Sequence, residues 1–315
     1  MFLRKSFLKQ IILASLFSFV FLSCDKRVEE QATPARMSIA KKIATSNDFT
    51  ILQAAILKTG LASLLDSPGT YTVFAPTNEV MIASGITMDQ INVLSNRQLE
   101  KLLKYHILSS RLFLDDFKIG VYYTEISLGG DSSFVSRNDQ GLFVNGIKVI
   151  QTDLLQSNGI IHVPSMLLQP AQGDLLEVVA VDTSLTMFNA ALRRTAKSGT
   201  DLTNALICGC KYTLFAPSND AFRLAGIPTL ASIEFVDTKK LIALLSNHIT
   251  KERLFSSDWS SQLVAHTING RQIQFIQNGN EYLIKGDSNL LPVKVIKHNT
   301  MATHGIVHTI EKVLE

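Results

Sequence analysis

The sequence predicts an α+β protein built from two tandem copies of one domain, each a mainly antiparallel sheet with helices packed beside it. Three observations carry this. Several segments recur in the same order at slowly growing spacing. Each copy reads as helices first and strands afterwards, the order that gives a sheet with segregated helices. The 315 residues are 46% hydrophobic and 18% charged, enough apolar sequence for two cores and too much for disorder.

The recurrence is explicit. Tyr71-Thr72-Val73-Phe74-Ala75-Pro76-Thr77-Asn78 returns 141 residues later as Tyr212-Thr213-Leu214-Phe215-Ala216-Pro217-Ser218-Asn219. Leu99, Leu102, Leu103, His106 and Ile107 return after 142 residues as Leu241, Leu244, Leu245, His248 and Ile249. Gly159-Ile160-Ile161-His162 returns after 146 as Gly305-Ile306-Val307-His308, and Ala54-Ala55 after 136 as Ala190-Ala191. Small loop insertions produce such growth. The period is far longer than a solenoid repeat, so each copy needs its own core. The organisation expected is an export signal over 1–23, a tether over 24–36, and domains over 37–173 and 174–315.

At the N-terminus, Arg4, Lys5 and Lys9 precede an apolar run of 12 residues, 11–22, broken only by Ser15 and Ser18. This is the charged and apolar layout of a secretory signal, and it falls short of the roughly 20 residues a membrane span needs. It ends in Phe21-Leu22-Ser23-Cys24. That ending resembles the lipobox of bacterial lipoproteins, with Phe21 where Leu is usual and Ser23 as the small residue before cleavage. The resemblance implies lipidation of Cys24 and attachment to a membrane of the cell envelope, the outer membrane in particular, facing the periplasm or the surface. Each buried acyl methylene contributes about 0.8 kcal/mol, and more than one chain makes the anchor stable. The following polar stretch has no apolar periodicity and reads as a flexible spacer.

Within the copies, helical spacing covers 49–57 and 61–65 in the first and 185–194 and 201–206 in the second. Short strands follow at 71–75 and 212–216. Pro76 and Pro217 lack the N–H that a central ladder needs, and Thr77-Asn78 and Ser218-Asn219 are good helix N-cap residues. The motif therefore encodes a strand-to-helix corner. Ser95-Asn96-Arg97-Gln98 has capping-box spacing ahead of the stripe Leu99, Leu102, Leu103, His106 and Ile107. Strands are expected over 122–128, 133–137, 142–151 and 160–168. Gly129-Gly130, Asn138-Asp139 and Asn158-Gly159 supply the turns between them.

These motifs closely resemble the fasciclin family. Its first motif is matched by Thr213, Phe215, Ala216, Pro217, Ser218, Asn219, Ala221 and Phe222. Copy one keeps Thr72 to Asn78, with Phe74, Pro76 and Asn78 in place, but has Val80-Met81 where Ala-Phe is usual, so its helix must pack differently. The closing motif appears as Asn158-Gly159-Ile160-Ile161-His162-Val163 with Leu167, and as His304-Gly305-Ile306-Val307-His308 with Leu314. The resemblance implies a β-wedge with packed helices, and a secreted or surface-anchored protein acting in adhesion or extracellular binding. It also implies a candidate contact pair at Tyr105-His106, a pair tied to adhesion in animal members. Copy two has Asn247-His248 instead. His106 also shares the leucine stripe, which suits a buried imidazole bonded to a local carbonyl.

The remaining chemistry is sparse. Lys and Arg total 30 against 27 Asp and Glu. Arg4, Lys5 and Lys9 are the only charges in 1–23, so the remainder carries 27 of each sign. With no basic stripe, a nucleic-acid partner is not expected. Three cysteines make no disulfide framework. Of seven histidines, four are repeated pairs, and His298, His304 and His308 are spaced too widely along a strand to share one ion. No metal and no cofactor are expected. No catalytic motif occurs, Asp115-Asp116 reads as a solvated turn, and no enzymatic activity is expected. Cys208 and Cys210, across Gly209, read either as a strained, redox-labile disulfide or as two buried thiols. Trp259, the only tryptophan, reads either as a sugar-stacking ring or as the cap of a core edge. Tyr122-Tyr123 lie near the corresponding region of copy one. The function expected is lipid-anchored adhesion or binding of an extracellular or envelope protein or glycan. The alternative is an accessory glycan-binding lipoprotein of an outer-membrane uptake system.

Overall fold

Alternation along Tyr71-Thr72-Val73-Phe74 sends successive side chains to opposite faces of a strand, and that sorting organises each half. The computed structural model describes residues 36–196, 202–207, 209–278 and 281–315. The export signal, Cys24, nearly all of the tether and Cys208 lie outside the described residues.

The first sheet contains β1 (Tyr71–Phe74), β2 (Ile107–Leu108), β3 (Tyr122–Ile126), β4 (Ser132–Asn138), β5 (Gly141–Val144), β6 (Ile147–Gln156) and β7 (Gly159–Pro164). Their order is β2-β1-β7-β6-β5-β4-β3. The second contains β8 (Tyr212–Pro217), β9 (Ile249–Thr250), β10 (Val264–His266), β11 (Gln272–Asn278), β12 (Glu281–Gly286), β13 (Val293–Ala302) and β14 (Gly305–Ile310). It follows the same path, β9-β8-β14-β13-β12-β11-β10. Named strand pairs are antiparallel except β1 with β7 and β8 with β14. Those two parallel pairs bring the opening and closing motifs side by side, with Phe74 opposite His162 and Phe215 opposite His308.

Each half has two apolar layers. Val73 and Ala75 face the helices, where Ile51, Leu52, Ala55 and Ile56 of helix Thr50–Thr59 meet Leu99 and Leu103 of helix Asn96–Tyr105. Phe74 faces the other way, into Tyr105, Phe117, Val135, Leu142 and Val144. Leu214 and Ala216 against Phe215 repeat this division. Burying each such Leu, Ile or Phe side chain contributes roughly 1.5–3 kcal/mol. Met81 is buried where the second half buries Phe222, so copy one fills the same position with a different shape.

The corner motif works by division of labour. Thr77 and Ser218 are the N-caps, accepting from the N–H of Val80 and Ala221. Asn78 is already helical and caps a different helix: its Oδ1 accepts from Ile51 N–H at 2.9 Å and its Nδ2 donates to Asn47 O at 2.8 Å. Asn219 does the same through Met187 N–H and Thr183 O, both at 2.9 Å. Pro217 is the last residue of β8, and the pairing with β14 is completed by Ser218 N–H, which donates to Ile310 O at 3.0 Å.

Two expectations are corrected. The run 142–151 is not one strand but β5 and β6, because Asn145 and Gly146 adopt φ of 52° and 74° and form the tight turn an Asn-Gly pair favours. Helices Ile39–Thr45, Met88–Val93 and Leu175–Val181 also appear where no helix was expected. Asp153 in β6 and Asn299 in β13 sit at register shifts with φ of 60° and 59°. Their side chains accept from Leu114 N–H and Ser256 N–H, both at 2.9 Å, which holds those bends.

Candidate binding site between the two halves

The candidate contact pair lies inside the protein. Tyr105 is 0% and His106 2% exposed. The Tyr105 hydroxyl donates to Ser132 O at 3.1 Å and accepts from Asn145 Nδ2 at 2.8 Å. His106 Nδ1–H donates to Leu102 O at 2.9 Å, and its Nε2 accepts from Leu168 N–H at 3.2 Å. His248 repeats this with Leu244 O at 2.7 Å and Leu314 N–H at 2.8 Å. Both rings therefore carry one defined tautomer, and burial pushes both down to about 4 despite the bonds to the Leu102 and Leu244 carbonyls. These side chains pin helix ends to the closing segments and present nothing to a partner.

The other repeated pair uses the opposite tautomer. His162 Nε2–H donates to Leu112 O at 2.9 Å and Nδ1 accepts from Asp153 N–H at 3.2 Å. His308 Nε2–H donates to Leu254 O at 2.9 Å and Nδ1 accepts from Asn299 N–H at 3.3 Å. Burial lowers both, His308 to about 3.

Trp259 is 4% exposed, packed against Phe275 and His308 with ring centroids 5.0 Å away in each case. The core-edge reading is the one the structure supports, and the ring is not a platform for a sugar. Cys210 is exposed, not buried, while Cys208 lies outside the described residues. Asp115 and Asp116 form part of a short 3-10 turn; Asp115 pairs with Arg137 at 2.9 Å and Asp116 caps Phe113 N–H at 2.7 Å. Among the described residues no group of three or more His, Cys, Asp or Glu side chains is placed to hold a metal ion.

What the sequence did not reveal is a built interface between the halves. Phe255 is 0% exposed although Phe113, its counterpart, is 37% exposed. The difference comes from the first half, whose Phe134 and Tyr122 rings lie 6.0 and 6.1 Å from Phe255. Arg253 sits 3.8 Å over the Phe134 ring, a cation–π placement. Asn138 Nδ2 donates to Ser257 O at 3.0 Å, and Asn299 Nδ2 to Gly146 O at 3.3 Å. A Cβ on Gly146 would meet Phe255 Cβ at 2.8 Å, so the turn must be glycine for contact as well as for conformation.

Beside this interface a cleft of about 640 Å³ opens between the halves, a volume in the usual range for ligand sites. Asn145, Ile147 and Met166 line it from the first half, and Asp182, Lys297 and Thr300 from the second. Lys297 Nζ pairs with Asp182 at 2.8 Å. Burial pushes the Asp182 carboxyl up, but the Lys297 bond, the Ser184 hydroxyl and N–H, and the lysine charge outweigh it and hold the carboxyl below its usual value. Val181 and Met166, 74% and 50% exposed, supply apolar surface at the rim. No Phe, Tyr or Trp lines the cleft among the described residues. His298 also faces it, with Nδ1 3.3 Å from Ser256 Oγ. Ser256 is itself buried, and no carboxylate is found on that ring among the described residues, so the pair lacks the third member a nucleophilic triad needs. The arrangement suits reversible binding.

The model of the fasciclin domain family matches residues 47–170 and again 183–315. Over 252 residues the chain is 26% identical to transforming growth factor-beta-induced protein ig-h3 of Sus scrofa, covering 79% of this chain and 35% of that protein. It is 27% identical to periostin of Homo sapiens over 254 residues, 78% of this chain and 28% of the relative. Protein sll1483 of Synechocystis sp. is 31% identical over 145 residues, 45% of this chain and 79% of that protein. The chain thus spans about a third of the length of the first two relatives. A solved FAS1 domain pair from the insect cell adhesion molecule fasciclin I aligns with a TM-score of 0.40 at 17% identity, covering 83% of this chain and 94% of that one.

Proposed function

This chain belongs to the fasciclin domain family, and from that premise we propose that it is a non-catalytic adhesion or binding protein of the cell envelope. In this reading a lipid on Cys24 holds it to a membrane, the outer membrane in particular. The two halves act on one tether, which raises the effective concentration of binding surface near that membrane. The observation that carries the binding role is the cleft of about 640 Å³ between the halves. Its apolar rim at Met166 and Val181 beside the Asp182–Lys297 pair suits an extracellular or envelope protein. Because no aromatic ring lines the cleft among the described residues and Trp259 is buried, a protein ligand is favoured over a glycan.

The test places a photo-crosslinking residue at Val181 in intact cells, with Leu57, exposed outside the cleft, as control. Adducts to an envelope or extracellular protein from Val181 and not from Leu57 are expected. Adducts from Leu57 alone, or from neither, contradict the reading. Partition into detergent by the native chain and into the aqueous phase by a Cys24→Ala variant checks the anchor.

A further inference from the structure

The two halves carry the same loop on the same supports, and only one copy of it is covered. Thr72 Oγ1 donates to Ser110 O and Thr213 Oγ1 to Glu252 O, both at 2.7 Å. The same hydroxyls accept from Leu112 N–H and Leu254 N–H, both at 3.0 Å. Phe113 and Phe255 come next, with their N–H groups capped by Asp116 and Asp258 at 2.7 and 2.8 Å. Phe255 is buried by the first half: the Gly146 turn lies against it, Phe134 sits under Arg253, and Asn138 donates to Ser257 O. Phe113 has no such cover among the described residues, and Asp115 and Asp116 beside it are exposed. The first half thus keeps open the docking face that the second half uses.

The mating surface is also present twice. In the first half Val144 pairs with Ile147 around Asn145-Gly146, and in the second Ile284 pairs with Val293 around the longer loop 285–292. The pairing of Val135 with Val144 and of Phe275 with Ile284 sets Gln274 at the Phe134 position and Asn278 at the Asn138 position. The longer loop is tied down. Asn289 donates to Val313 O and accepts from Glu315 N–H, both at 3.1 Å. Ser288 Oγ accepts from Arg271, and Asp287 accepts from Gln272 N–H, both at 2.9 Å. Its tip nevertheless holds Leu290 and Leu291 out in water, 93% and 69% exposed. A single exposed leucine is ordinary surface. Two in succession, on a fixed loop that stands where the other half has its docking turn, form a surface shaped for contact.

We propose that the 285–292 loop of one chain docks on the Phe113 face of a second copy, head to tail, repeating between copies the contact that the halves make within one. Leu290 and Leu291 take the place of the Gly146 turn and cover the Phe113 ring, which removes apolar surface of both from water. Asn278 reaches the Asp115 carbonyl as Asn138 reaches that of Ser257. The Gln274 amide oxygen accepts from the Arg111 guanidinium, where Arg253 has the Phe134 ring. A second copy is the occupant because the open face has the pattern of one that this chain already fills with its own other half. The two surfaces in contact differ, so the association is heterologous and builds rows or rings of copies instead of a two-fold pair. None of these residues lines the cleft, so the contact stands or fails apart from the binding role.

The test places a photo-crosslinking residue at Leu290 of the full chain in intact cells. Adducts of two and more chains are expected, with the crosslinked peptide containing Phe113. Phe113→Asp, at a position open to water, should leave the urea unfolding midpoint in place and lower the adduct yield at least about tenfold. When the chain with the crosslinker itself carries Phe113→Asp and is co-expressed with the native chain, adducts should return and stop at two chains. Only the altered chain then has a reactive loop, and its own face is blocked. No two-chain adduct, an adduct mapped away from residues 111–116, or one that survives Phe113→Asp in every copy would overturn the proposal.

Discussion

Phe215 stacks on His308 with ring centroids 5.4 Å apart and planes 16° apart. Phe74 stacks on His162 in the same way, at 5.6 Å and 27°. The parallel pairing of opening and closing motifs puts each phenylalanine opposite its histidine, and each histidine bonds a distant loop carbonyl. The two motifs are thus one structural device written twice, joining strand, loop and bulge.

Removing that device should cost stability. His308→Ala strips the Leu254 carbonyl and the Asn299 N–H of their buried partner and leaves a cavity beside Phe215. A loss of about 2–4 kcal/mol is expected, read from urea unfolding.

Acid should weaken the fold before it reaches carboxylates. His106 and His248 are held near 4 and His308 near 3 when folded, against about 6.5 when unfolded. Above the unfolded value both states are neutral and nothing changes with pH. Below it the unfolded chain takes up protons that the folded chain refuses, so stability falls as pH drops towards the folded values. At pH 5 each of these histidines should have withdrawn roughly 2 kcal/mol, seen as a lower urea midpoint than at pH 7.

Close backbone approach makes Gly159 irreplaceable. A Cβ there would lie 2.1 Å from the Tyr71 carbonyl oxygen, and at Gly305 2.5 Å from that of Tyr212. Gly159→Ala should push β7 from β1 and destabilise by about 3 kcal/mol or more, with a matching fall in thermal midpoint.

Asn78→Ala should uncap helix Thr50–Thr59, which has no side-chain cap from its own N-terminal residue. The expected cost is about 1–2 kcal/mol. Asn219→Ala should give a similar loss, measured by chemical denaturation.

Local signals made much of this legible. The tandem copies, the strand-to-helix corner and the Ser95–Gln98 capping box, which forms as the spacing suggests, are all short-range features with fixed offsets. Other features depend on what a segment meets. The Asn145-Gly146 turn hides inside an apolar run whose periodicity suits one strand equally well. Phe113 and Phe255 have equivalent surroundings in sequence, and only docking of the first half buries one of them. The cleft gathers Met166, Asp182 and Lys297 from distant segments, so no motif marks it. Tyr105-His106 drew attention as a contact pair, yet a helix end needing buried partners selects the same residues.

Ring-nitrogen NMR of the four repeated histidines tests most directly whether these side chains are the protein's internal framework. The account predicts neutral rings for His106, His248 and His308 at about pH 6, with the proton on Nδ1 of His106 and His248 and on Nε2 of His162 and His308. A ring that titrates near the ordinary histidine value, or a His106 that exchanges tautomers as a solvent-facing side chain does, would contradict it.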